Sequence, residues 1–318
     1  MLEVEVMASP ALSCHLVANM IIRSLLLCLA LMAPVSDEQP TEGGRPVADA
    51  PDDHRLSAAP DPRLLAADSL FARGESRAAL REVEAVLRSL SGSAGDHTAR
   101  GAGGDPSLAY EALWRAASLA VALGVERESG PLAGVPEPPS HWYAVAYDWA
   151  EEALALDPQG IEPRYWMIAV LGRQALGAGP REAAAMSDRM LALARANLAL
   201  DPEHAPTLNA LGRLHLEIMS RSGMVRLLGR AFVGGEALEQ ASWAEARRHL
   251  ERAVALGPDQ SMFLLDLGRY HALRRNRREA IDLLRRAIDV GESRPSDRVF
   301  VREARALLLE LGVNDGGT

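Results

Sequence analysis

The chain has 318 residues, enough for one large domain or two small ones, and carries a formal net charge of −9, which argues against nucleic-acid binding through general electrostatics. Alanine and leucine dominate while aromatic residues make up 4%, so an all-α protein is expected. Every basic side chain is arginine, and both cysteines, Cys14 and Cys28, precede residue 30, which excludes disulfides and cysteine metal sites from the body.

Residues 1–36 read as a signal peptide or an N-terminal anchor. From Met20, Arg23 supplies the charged region, Ser24 to Met32 the apolar one, and Ala33-Pro34 a stop, with cleavage expected between Ala33 and Ser36. Export to a periplasm-like compartment is the expected localisation, and membrane anchoring is the alternative. Residues 37–60, rich in Pro, Gly and acids, form a linker whose composition cannot offset its own ordering entropy. A superhelix is then expected over 61–312, with a flexible tail at 313–318.

The first helical pair falls at Pro62 to Leu90 and ends in a Gly/Ser stretch, Ser91 to Gly104. A helix from about Asp105 to Gly124 follows, then a Pro-rich loop and a helix from His141 to Leu156. That helix closes with Leu154-Ala155-Leu156-Asp157-Pro158, an ending repeated at Leu198 to Pro202 and, with glycine for the acid, at Val254 to Pro258. Proline there stops one helix and lets the next begin in a new direction.

Two copies of one hairpin stand out between Ala205 and Val290. Leu267-Gly268-Arg269-Tyr270-His271 is followed by Ala280 and Ala287, whereas Leu211-Gly212-Arg213-Leu214-His215 waits for Ala246 and Ala253. The glycine-to-alanine interval is about 12 residues in the second copy and about 34 in the first, so about 22 residues are inserted between paired helices. A last helix from Pro295 to Leu311 reads as the cap that a stack of repeats needs.

Leu267-Gly268, Ala280, Ala287 and the proline-punctuated ends resemble the tetratricopeptide repeat, a pair of antiparallel helices of about 34 residues. The resemblance implies an all-α superhelix of about five hairpins plus a C-terminal capping helix. Asn197 departs from it, standing where an alanine is expected. A narrower resemblance rests on the insert with Met224 to Phe232, Ser242-Trp243-Ala244-Glu245-Ala246, Leu265 to Tyr270, and Glu111 to Ala117 upstream. Over roughly Pro106 to Leu311 the chain is similar to the regulator of microtubule dynamics family and its bacterial relatives. Animal members are connected with microtubules and organelle contacts, and an exported bacterial protein would meet neither. What the resemblance implies is therefore a fold and a binding role.

Leu-Gly-Arg recurs at 171–173, 211–213 and 267–269. If the triplets occupy equivalent places, Arg173, Arg213 and Arg269 form a ladder able to bind an acidic peptide, a terminal carboxylate or an anionic head group. The plainer reading, and the preferred one, is arginine snorkelling from arginine-rich helices. His215 and His271 share a register and join the three arginines as candidates to line a partner-binding groove; packing is the preferred reading for them, and equivalent positions on neighbouring hairpins stand too far apart to share an ion. No metal and no cofactor are expected. Gly-rich phosphate loops and HExxH are absent from the sequence, and the adjacent acids Glu151-Glu152 and Asp52-Asp53 do not make facing carboxylates, so an enzyme is not expected.

The insert, about 219–241, sets Met224, Val225, Leu227, Leu228 and Phe232 among Arg221, Arg226 and Arg230 with no acid before Glu236. It can lie on a membrane, cover a ligand or fold into the protein's own groove, and the last is preferred because so many apolar residues need cover. Arg226, Leu228, Phe232 and Trp243 are its candidate contacts, with Trp243 expected to pin it. The function expected is a scaffold for a protein or peptide partner. The alternative is a carrier of an apolar or phospholipid-like ligand held under the insert.

Overall fold

The computed structural model describes residues 61–90, 105–128, 130–132 and 134–313. The leader at 1–36, the linker at 37–60, the Gly/Ser stretch from residue 91 and the tail beyond residue 313 lie outside the described residues. The described residues form one compact unit.

Thirteen α-helices make up the described part: α1 (Pro62–Ala72), α2 (Ser76–Leu90), α3 (Pro106–Glu128), α4 (Pro139–Leu156), α5 (Ile161–Gly177), α6 (Pro180–Leu200), α7 (Ala205–Ser220), α8 (Gly223–Phe232), α9 (Glu236–Gln240), α10 (Trp243–Leu256), α11 (Ser261–Leu273), α12 (Arg277–Glu292) and α13 (Arg298–Glu310). They pair as five hairpins, α1/α2, α3/α4, α5/α6, α7/α10 and α11/α12, with α13 packed on the last. The fold is the expected all-α superhelix of tetratricopeptide type, and the insert emerges as α8 and α9 between α7 and α10.

Small residues set the spacing between helices. Ala112, Ala116, Ala120, Ala146, Ala150, Ala246, Ala253, Ala280 and Ala287 are each 0% exposed, so backbones approach with little side-chain bulk between them. A Cβ on Gly212 would lie 2.7 Å from Leu250 Cγ and 3.0 Å from the Leu250 backbone nitrogen. On Gly268 it would meet only side-chain carbons of Leu284, at 3.0 and 3.1 Å, and of Leu283. α3 is long and apolar enough to cross a membrane, but most of it lies inside the core.

The recurring helix ending has a local cause beyond proline. α4 and α6 stop at Asp157 and Asp201, whose backbone N–H groups donate to Ala153 and Asn197, while their Oδ1 atoms accept from Gln159 N and Glu203 N, each at 2.9 Å. An aspartate that closes this turn with its own side chain competes with further helix, and the proline then makes the stop final. Asn197 has its own task. Its Nδ2 donates to the carbonyl of Ile161 at 2.9 Å and to Thr207 Oγ1 at 3.2 Å, tying α6 to the starts of α5 and α7 where alanine could not.

The stack also closes on itself. Gly74, at φ +75° after α1, would place a Cβ 3.0 Å from Pro295 Cβ in the short 3-10 turn before α13. Nearby, Ser76 Oγ donates to Glu126 at 2.6 Å, and Arg298 and Arg302 partly offset the upward push of burial on that carboxyl.

Candidate functional site

The three Leu-Gly-Arg arginines stand on α5, α7 and α11, the first helices of consecutive hairpins. None of them reaches out alone. Arg173 Nη1 donates to Glu128 Oε2 at 3.2 Å, and Glu128 Oε1 accepts from Tyr143 Oη at 2.5 Å. Arg213 and Arg269 converge on Asp266 Oδ1, at 3.1 and 2.9 Å, and Asp266 Oδ2 accepts from Asn209 Nδ2 at 2.9 Å. Arg269 also reaches Glu303 at 2.8 Å and Arg213 stands 3.7 Å from Glu217.

Asp266 is 0% exposed, and such a carboxylate is tolerable only when paired and hydrogen-bonded. Asp266 raises the Arg213 guanidinium above its ordinary value, helped by Glu217, Glu303 and Glu128. Burial pushes the Tyr165 phenol up, and Asp266, Arg173 and Arg213 all act on it. The ladder is therefore an internally neutralised polar seam, with every arginine committed to a carboxylate of the same chain.

At one end of the seam lies an open groove of about 480 Å³ between α7, α11 and α13. Leu216, Ala272, Leu273, Leu307 and Leu311 supply apolar surface, and Glu217, Arg269 and Glu310 the charged rim.

The two registered histidines part company. His271 sits beside Asn276, its Nδ1 3.2 Å from Asn276 Nδ2. His215 instead faces His249 of α10, the rings parallel within 5° and 5.9 Å apart. Burial keeps both imidazoles below their ordinary range, and His249 is pushed down to about 4, with Arg248 adding to the effect.

The insert does not fold into the groove. Its second helix, α9, docks on α6, where Asp188 accepts from Ala237 N at 2.8 Å and Arg195 donates to Glu236 at 2.7 Å. Its first helix, α8, touches chiefly α9 and leaves Met224, Leu227 and Phe232 at 65%, 64% and 59% exposure. Arg226 turns back to the carbonyls of Met219 and Arg221, and Leu228 lies within α8. Trp243 meets Tyr270 edge-on at 6.1 Å and carries Arg274 over its ring at 5.0 Å, so it braces α10 against the next hairpin.

Helical hairpins of this kind, stacked with small residues at the crossings, define a tetratricopeptide-type protein, a fold that generally serves protein interaction. The crystal structure of a thermophilic tetratricopeptide protein from Thermus thermophilus is similar over 77% of this chain and 97% of its own, with a TM-score of 0.50 and 19% identity. The family described as Regulator of microtubule dynamics protein 1-3 matches residues 64–312, and the chain belongs to that family. No curated protein matches.

Proposed function

We propose that this chain is a non-enzymatic scaffold that holds an amphipathic segment of another protein against α8 and the adjoining groove. The unpartnered apolar face of α8 carries the reading. Met224, Val225, Leu227 and Phe232 are all exposed on one short helix, and large side chains grouped in this way mark a surface that another molecule covers. The groove is continuous with it along the chain, since Ser220 lines the groove and α8 begins at Gly223. Commitment of the seam arginines to Glu128, Asp266 and Glu303 leaves apolar contact as the main source of affinity. The apolar stretch from Leu16 with Arg23 supports export, so the partner belongs to the exported compartment.

The test is crosslinking capture from the native cell envelope, with the mature N-terminus sequenced from the same sample, followed by binding of the recovered partner to purified protein. The triple variant Met224→Ser, Leu227→Ser, Phe232→Ser should keep the wild-type melting temperature and lose the partner by about tenfold or more in affinity. Undiminished binding by that variant, or binding of anionic vesicles in place of protein, overturns the proposal.

A further inference from the structure

The interrupted hairpin brings together three side chains that the scaffold role does not use. Glu245 and His249 stand one turn apart on α10, on the same face, and His215 faces them from α7. One ligand atom from each lies within 4.8 Å of the other two, and His249 Nε2 is 3.3 Å from Glu245 Oε2. His215 is 5% and His249 6% exposed, and His215 Nδ1 is buried with no hydrogen-bond partner. An orphaned imidazole nitrogen in a packed core calls for an explanation that packing does not give.

We infer that His215, Glu245 and His249 form a binding site for one divalent transition-metal ion, of the zinc type, which clasps α7 to α10 across the point where the insert interrupts the hairpin. Two imidazoles and one carboxylate are a ligand set that suits zinc and its neighbours, leaving a fourth position for water. Ligand atoms around a tetrahedral zinc stand about 3.3 Å apart for bonds of about 2.0–2.1 Å. Glu245 and His249 already have that separation, and His215 closes the rest by a shift of about 1.5 Å or less.

Arg248, with its side chain 67% exposed, donates to Glu245 and lies 3.2 Å from His249 Nε2. It acts as a cationic stopper that the ion must push into solvent. Arg195 of α6 adds positive charge from the far side but is held by Glu236 and Gln240.

The experiment uses the full chain, stripped with chelator and titrated with Zn²⁺ and separately with Co²⁺. A single Zn²⁺ per chain is expected, with a rise in melting temperature, and Co²⁺ should give the strong visible bands of a four-coordinate ion. His215→Phe, which keeps a ring in the packed position, and Glu245→Gln should each weaken Zn²⁺ by more than about tenfold. Arg248→Ala, a change at an exposed side chain that leaves the core untouched, should tighten it. Absence of stoichiometric Zn²⁺ binding in both the wild type and Arg248→Ala, or equal affinity in wild type and His215→Phe, overturns the inference.

Discussion

α7/α10 and α11/α12 begin from the same Leu-Gly-Arg-x-His register, yet one hairpin is interrupted by two extra helices and the other closes through a short turn. The interruption does not loosen the pair. Gly212 is more tightly boxed than Gly268, because Leu250 presents its backbone as well as its side chain, whereas Leu284 and Leu283 present only side-chain atoms. The two hairpins even share a charge, since Arg213 of one and Arg269 of the other both bind Asp266. Pairing of repeat helices is thus set by the surfaces that meet, and the length of chain between them is nearly free, as expected when closure entropy grows only slowly with loop length.

The sharpest way to break this likeness is at the shared charge. Asp266→Ala leaves two guanidinium groups facing each other without their carboxylate and should cost about 3 kcal/mol or more in urea unfolding, since removing one partner of a buried pair strands the other. A value near zero would mean that Glu303 and Glu217 suffice. Next comes the glycine pair. Gly212→Ala should destabilise by about 2–3 kcal/mol, and Gly268→Ala by about 1 kcal/mol or less, because a flexible Leu284 yields where the Leu250 backbone cannot. Equal costs in the same unfolding experiment would remove the distinction drawn between the hairpins.

The third difference is a proton. His249 is held near 4 when folded against about 6.5 when unfolded, so the unfolded chain binds the extra proton between those values. The neutral form's contribution is fully present above about pH 6.5 and is lost as pH falls towards 4, on the order of 2 kcal/mol. Arg248 and His215 deepen the shift and Glu245 opposes it. Unfolding of chelator-stripped protein at pH 7 and pH 5 should show the loss in wild type, a smaller one in His249→Phe, and little relief from His271→Phe, whose ring is only partly buried.

Much of the architecture was legible because helix ends and small residues act locally. Leu-x-Leu-Asp-Pro fixed where α4 and α6 stop, and Leu-Gly with later alanines identified both halves of the opened hairpin. The partners of the arginines were not legible, since Glu128 and Glu303 lie far from Arg173 and Arg269 in the chain. A signal was nevertheless present at Asp266, a lone acid within Phe263-Leu264-Leu265-Asp266-Leu267, where the buried face of a helix admits a charge only if something pairs with it. Register pairs His215 with His271, whereas its neighbour in space, His249, comes from the helix beyond the insert. Apolar side chains such as those of the insert usually find cover, and α8 is an exception, with Met224, Leu227 and Phe232 exposed.

The contact between Gly74 and Pro295 changes what kind of object this stack is. An open solenoid is a spring: repeats can be added or removed at either end, each feels only its neighbours, and the coil can stretch around whatever it holds. Here the first hairpin leans on the turn before the last helix, so the spring is latched. Loss of α13 would be felt at α1, more than two hundred residues away in the chain, and duplication of a hairpin would force the latch open. A partner must therefore suit a perimeter that is already set.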